Sequence, residues 1–179
     1  MGLDMYLTKR TYVKNWKHTP SGKRHQITIE GPSAHLIQTE RISEIVEDVA
    51  YWRKANHIHN WFVENVQEGN DDCREYYVST DQLKELVDIC KRVVTAATMV
   101  DASVSNGEQL TEEGWVPILV AGQQVENLEE VKKLLPTQRG FFFGNTDYDK
   151  YYVDDCAETI KALEPLLESP AEFYYRSSW

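Results

Sequence analysis

Two histidines, His57 and His59, lie in the stretch Trp52-Arg53-Lys54-Ala55-Asn56-His57-Ile58-His59-Asn60-Trp61-Phe62. Imidazole changes charge near neutral pH and is the commonest metal ligand, so this pair is the first candidate for chemistry. Its spacing argues against a shared metal. On a helix, two residues mean about 200° of rotation, whereas a metal pair needs a spacing of three or four. Apolar residues recur at helical spacing through Ile45, Val49, Trp52, Phe62 and Val66, and Asn56 and His59 interrupt that stripe. A buried polar group without a partner costs roughly 1–3 kcal/mol. Asn56 and His59 are therefore either tied into a structural network or turned toward a ligand, and His57 is expected in solvent. Arg53, on a second edge with Asn56 and Asn60, suits a bidentate clamp on phosphate or carboxylate, or an internal ion pair.

Other chemistries are weaker. Pro20-Ser21-Gly22-Lys23 falls short of a phosphate-binding loop, because Lys17 stands at the upstream glycine position and Arg24 where Ser or Thr would hold magnesium. Asp147, Asp149, Asp154, Asp155 and Glu158 form an acidic run; Asp154 and Glu158 share a helix face on which magnesium is conceivable, but no metal site is assigned. A catalytic Cys–His pair of Cys73 with His59 is possible in principle, and only residue type supports it. No GxSxG or HExxH motif is present. No catalytic residue and no cofactor is assigned.

The elements that must position these groups read as a mixed set. Met5, Leu7 and Val13 alternate with polar residues, and Thr19-Pro20-Ser21-Gly22 supplies turn chemistry, so a hairpin is expected whose second strand carries His25, Ile27 and Ile29. A long helix is expected over 41–67, and a short strand over 75–78. Ser79 and Gln82 form a capping box, with Val78 and Leu83 as its staple. That helix should bury Leu83, Leu86, Val87, Cys90 and Val94. Residues 99–126 read as a loop with a strand or hairpin in which Pro117 favours an edge. A short helix should follow Asn127, a glycine-bounded strand 140–144, a helix capped by Asn145 or Thr146, and a last strand over 173–179. Together these predict one α+β domain, three to four helices on a mostly antiparallel sheet.

The chain has 179 residues, 41% of them hydrophobic, enough for one domain with a real core. No apolar run is long enough to span a membrane. The N-terminus lacks a signal-peptide pattern, and a soluble cytoplasmic protein is expected. Three widely spaced cysteines, none in a CxxC motif, argue against a disulfide framework or a zinc site, and Cys90 and Cys156 read as small core residues. Net charge is −10, yet residues 1–25 carry six basic residues against Asp4 alone. The overall acidity disfavours general nucleic-acid binding, while the basic start leaves room for a small anion, or simply protects a sheet edge.

The phrases MGLDMYL, YWRKANHIHNWFVENVQEG, DDCREYYVS, LLPTQRGFFFGNTDYDKYY and FYYRSSW together resemble a widespread family of small uncharacterised proteins of bacteria and their phages. The resemblance spans nearly the whole chain and brings no activity with it. It implies a phage or prophage setting and a host-directed role, such as blocking a defence system, and it makes 99–126 an insertion.

The leading expectation is a non-enzymatic protein that sequesters a small anionic, nucleotide-like ligand between sheet and helix. Arg10, Lys14, Arg53 and Arg139 would supply charge. Tyr6, Trp52, Phe142, Tyr175 and Trp179 would stack or line walls, and Asn56 and His59 would read polar groups. Two alternatives stand beside it: a module that docks on a host protein through its acidic surface, and a small phosphoester or nucleotide hydrolase using His59. Self-association is compatible with each.

Overall fold

The computed structural model describes residues 2–112 and 114–179. Strand β1 (Asp4–Tyr12) is the inner member of a four-stranded antiparallel sheet. It pairs on one side with β2 (Glu44–Arg53) and on the other with β6 (Glu172–Ser178), and β6 also carries the short β3 (Tyr76–Val78), giving the order β2-β1-β6-β3. The period-two pattern sends Met5, Leu7, Phe173 and Tyr175 into the core. The opposite face stays open. There Arg176 lies over the Tyr6 ring at 4.5 Å and Arg10 over Tyr174 at 4.1 Å, so cations and rings satisfy one another.

The expected partner of β1 over 25–29 is corrected. Residues 14–43 form a mostly exposed excursion with three short 3-10 turns, held together where the Asn15 side chain bonds both N–H and carbonyl of His25. The true partner, β2, lies inside the stretch expected to be helical. Ile45, Val49 and Trp52 show helical spacing because the β1–β2 register shifts at Leu7/Thr8, and the resulting bulge breaks strand alternation. Their β-branched neighbours suit a pleated edge, and Ile45 and Val46 remain exposed.

The helix itself, α1 (Asn56–Asn65), begins only after Lys54, whose positive φ of 60° turns the chain sharply. The capping box of α2 (Thr80–Ala96) forms as expected. Val94 is exposed and Val93 is the buried residue in its place. Residues 99–125 make the hairpin β4 (Met99–Thr111) and β5 (Gly114–Val125), a two-stranded ribbon in which every strand is an edge and Pro117 is tolerated; Glu113 lies outside the described residues. Helix α3 (Leu128–Leu134) follows Asn127.

Segment 140–144 is a turn, not a strand. The Phe143 N–H bonds the Gly140 carbonyl, and the Phe143 ring folds so close that a Cβ on Gly140 would sit 2.5 Å from it. Helix α4 (Lys150–Leu163) is capped by Asp149, which accepts from the Tyr152 N–H, in place of Asn145 or Thr146. Helices α1, α2 and α4 cover the inner sheet face, and Leu3, Phe62, Leu86, Cys90, Cys156 and Leu163 are fully buried between them. The molecule is an α+β domain, and no helix among the described residues is long and apolar enough to cross a membrane.

Candidate functional site

The two histidines of α1 point to opposite sides, as their spacing requires, but both are buried because the helix is packed on each of those sides. His59 belongs to the core. Its Nδ1 lies 2.7 Å from the Tyr175 hydroxyl and its Nε2 lies 3.1 Å from Asp71 Oδ2. The Trp179 indole N–H donates to the other Asp71 oxygen at 3.0 Å. Tyr175 stacks on Phe62 at 3.8 Å, and Phe143 packs edge-on against His59. Burial lowers the His59 pKa, with Asp71 opposing, and burial drives the Tyr175 hydroxyl well above its ordinary range. A neutral His59 that receives the tyrosine proton on Nδ1 and donates Nε2–H to Asp71 satisfies every group.

His57 is the correction. Expected in solvent, it is 3% exposed, and its Nε2 has no hydrogen-bond partner among the described residues. Tyr152 of α4 packs on the ring with centroids 4.4 Å apart, and Asp155 Oδ2 stands 3.9 Å from Nε2. Burial holds His57 neutral, its pKa pushed down to about 3. The Asp155 carboxyl is pushed up to about 7, first by burial and then by the nearby Glu158, Asp149 and Asp154.

These groups form one wall of a cleft of about 700 Å³ between the β2–α1 turn, the 137–149 loop, the start of α4 and the 105–107 bulge of the hairpin. That volume is in the range of small-molecule sites. Lys54 and Arg53 contribute to its lining from the strained turn. Lys54 donates its N–H to the Leu3 carbonyl, its own carbonyl accepts from the Asn56 N–H, and its side chain crosses Gly144, where a Cβ would come within 3.3 Å. Asp149 is 2% exposed; one oxygen caps α4 and the other, Oδ2, is unpaired among the described residues. Burial raises the Asp149 pKa, while the Tyr152 and Tyr151 N–H groups and Asn145 pull it down. Phe141, 95% exposed, and Tyr151, 72% exposed, also line the cleft.

The residues expected to bind a ligand separate into three places. Arg53, Asn56 and Phe142 line the cleft. Asn56 does so as a structural latch: its amide donates to the Phe143 and Asn145 carbonyls and its oxygen accepts from the Gln138 N–H. Trp52, His59, Tyr175 and Trp179 belong to internal networks, with the Trp52 indole donating to Thr159 at 2.8 Å. Arg10 and Tyr6 are on the open sheet face, where Arg10 pairs with Glu75, and Lys14 lies over the Trp16 ring beyond β1. Arg139 is exposed beside Gly140. Lys54 and His57 were not expected here. His57 was in view in the sequence, but only the docking of α4 encloses it.

Asp154 pairs with Lys150, and among the described residues no group of three or more His, Cys, Asp or Glu is arranged to hold a metal ion. A second groove, about 790 Å³ between α2 and α3, is lined by mixed charges such as Lys91 and Glu130, and among the described residues no buried unpaired side chain lines it. No family model, curated protein or solved structure matches the chain. The geometry of the cleft therefore carries the functional reading.

Proposed function

We propose that this protein binds a small anionic, nucleotide-like ligand in the cleft beside α1. One observation carries the reading: His57 Nε2 and Asp149 Oδ2, on side chains at least nine-tenths buried, have no partners among the described residues in a cleft that Arg53 and Lys54 also line. Each such atom costs roughly 1–3 kcal/mol while it is unpaired, so a ligand that pairs it recovers that energy on binding. Arg53 and Lys54 supply the anion contact, and the exposed rings of Phe141 and Tyr151 suit a flat base. The host-directed, phage-type role rests on the resemblance of the sequence alone.

The test is to incubate the pure protein with a pool of linear, cyclic and NAD-derived nucleotides. Each compound is then quantified by mass spectrometry in the filtrate and again after heat release. A compound that disappears and returns intact supports sequestration. One that returns altered makes the cleft catalytic, with His57 and Asp155 as the acid–base pair to mutate. An unchanged pool refutes the ligand reading.

A second reading has its own observation. Residues 99–125 hold four acidic residues and no Lys or Arg, and Leu110, Trp115 and Leu119 are each more than 60% exposed. An exposed, acidic, apolar ribbon suits a basic partner protein, and Leu110→Ser with Trp115→Ser, away from the 105–107 wall of the cleft, would separate the two functions by leaving nucleotide binding intact and abolishing partner capture.

A further inference from the structure

The cleft has two electrostatically opposite parts. Arg53 and Lys54 attract an anion, while Asp147, Asp149 and Asp155 line the same space and repel one. A bare phosphate would gain from the first group and lose to the second, so it is a poor match for the whole cleft. The carboxylates must be satisfied by the rest of the ligand.

Their geometry says what that part is. Asp149 spends Oδ1 on the α4 cap, a 3.1 Å bond from the Tyr152 N–H, and leaves Oδ2 buried and unpaired. The Asp155 oxygen nearest His57 is 3.9 Å away, too far for a hydrogen bond. An ionised carboxylate only accepts, so Asp149 Oδ2 calls for an N–H donor. His57 beside them is neutral and can donate or accept. Phe141, set edge-to-face on Phe142 at 4.8 Å, offers an uncovered ring face to a planar group.

We infer that the cleft selects a nucleotide-like anion whose ring carries an exocyclic amino group, adenine- or cytosine-type, with Asp149 Oδ2 accepting from that group. The inference rests on the reading of the cleft as a ligand site and narrows it to a substrate class. A ring with a carbonyl in place of the amino group would set oxygen against oxygen at Asp149.

Isothermal titration with two matched pairs tests it: adenosine against inosine monophosphate, and cytidine against uridine monophosphate. The amino member of a pair should bind about ten- to a hundredfold tighter, the effect expected of a hydrogen bond to a charged acceptor. In Asp149→Asn the side-chain oxygen can keep the cap, since Asn caps as well as Asp, and the amide presents a donor at the former Oδ2 position. The preference should then vanish or reverse. If that variant fails to fold, Asp149→Ser, which keeps a capping oxygen and lacks Oδ2, replaces it and should reduce the preference. Equal affinity within both pairs, or an unchanged preference in a folded Asp149→Asn protein, overturns the inference but leaves the ligand site standing. No binding by any of the four compounds, or binding that Arg53→Ala does not weaken, overturns both.

Discussion

Asp155→Asn should make the protein more stable, and by more as the pH rises. In the folded chain burial and three neighbouring acids lift this carboxyl from its ordinary 3.8 to about 7. Between those values the folded state keeps a proton that the unfolded chain has lost. The stability contributed by Asp155 is therefore fully present below about pH 4 and is lost as the pH climbs through 7. At about 1.4 kcal/mol per pH unit the ceiling is about 4 kcal/mol. The side chain is 30% exposed, and solvent screening brings a realistic value to about 1–2 kcal/mol. Asparagine has nearly the same shape and no charge to desolvate, and the helix bond from Thr159 to the backbone carbonyl of residue 155 is untouched.

The assay is thermal melting of both proteins from pH 4 to pH 8. For a domain of this size, 1–2 kcal/mol is about 2–8 °C, so the gap between variant and parent should open by that amount across the range. His57 adds a slope of its own to both curves. Its pKa is lowered to about 3, so its contribution is present above 6.5 and is lost as the pH falls toward 3, a slope opposite to that of Asp155. The difference between the two proteins removes that contribution. A gap that does not change with pH would refute the assignment of Asp155. A variant less stable than its parent near pH 6 would mean that His57 and Asp155 form an ion pair.

Asn56→Ala should cost about 2–4 kcal/mol in urea denaturation, because three hydrogen bonds to the 138–145 loop disappear and leave two carbonyls and an N–H unpaired; a loss under about 0.5 kcal/mol would show the latch to be unimportant. Tyr175→Phe keeps the stack on Phe62 and removes only the bond to His59, so about 1–2 kcal/mol should go, with no change in ligand affinity. Arg53→Ala should leave the melting temperature almost unmoved and weaken nucleotide binding about tenfold in titration. Phe141→Ala, at a 95% exposed position, should likewise change stability by less than about 0.5 kcal/mol. It should lower affinity for the base-bearing ligands without affecting inorganic phosphate.

Much of the fold could be read locally. The capping box of α2, the hairpin over 99–125, the short helix after Asn127 and the last strand each follow from a signal within a few residues. The failures arise where a distant contact decides. Ile45, Val49 and Trp52 fit a helix until the bulge opposite Leu7 and Thr8 is known, and nothing near them reports that bulge. Asn145, Thr146 and Asp149 all have side chains able to cap, and Asp149 wins because its carboxylate meets the Tyr152 N–H three residues on. The site was half visible. Arg53 and Asn56 were found by residue type, but Lys54 reaches the cleft only through a left-handed turn, a conformation that its sequence does not advertise.

The histidine pair shows why residue type alone could not assign roles. Helical rotation puts His57 and His59 on opposite sides, and from the sequence one of those sides had to be solvent. Because α1 is a ten-residue helix that is buried on both sides, neither is. What differs is how completely each ring is answered. His59 meets a hydroxyl and a carboxylate, Tyr175 and Asp71, so its polarity is used up inside the fold. His57 meets an aromatic ring and a carboxylate just out of reach, so its polarity remains. A folded chain keeps an unanswered buried imidazole at a cost in stability. That cost is easiest to understand where something else completes the pair, and the cleft beside His57 is where a ligand would do so.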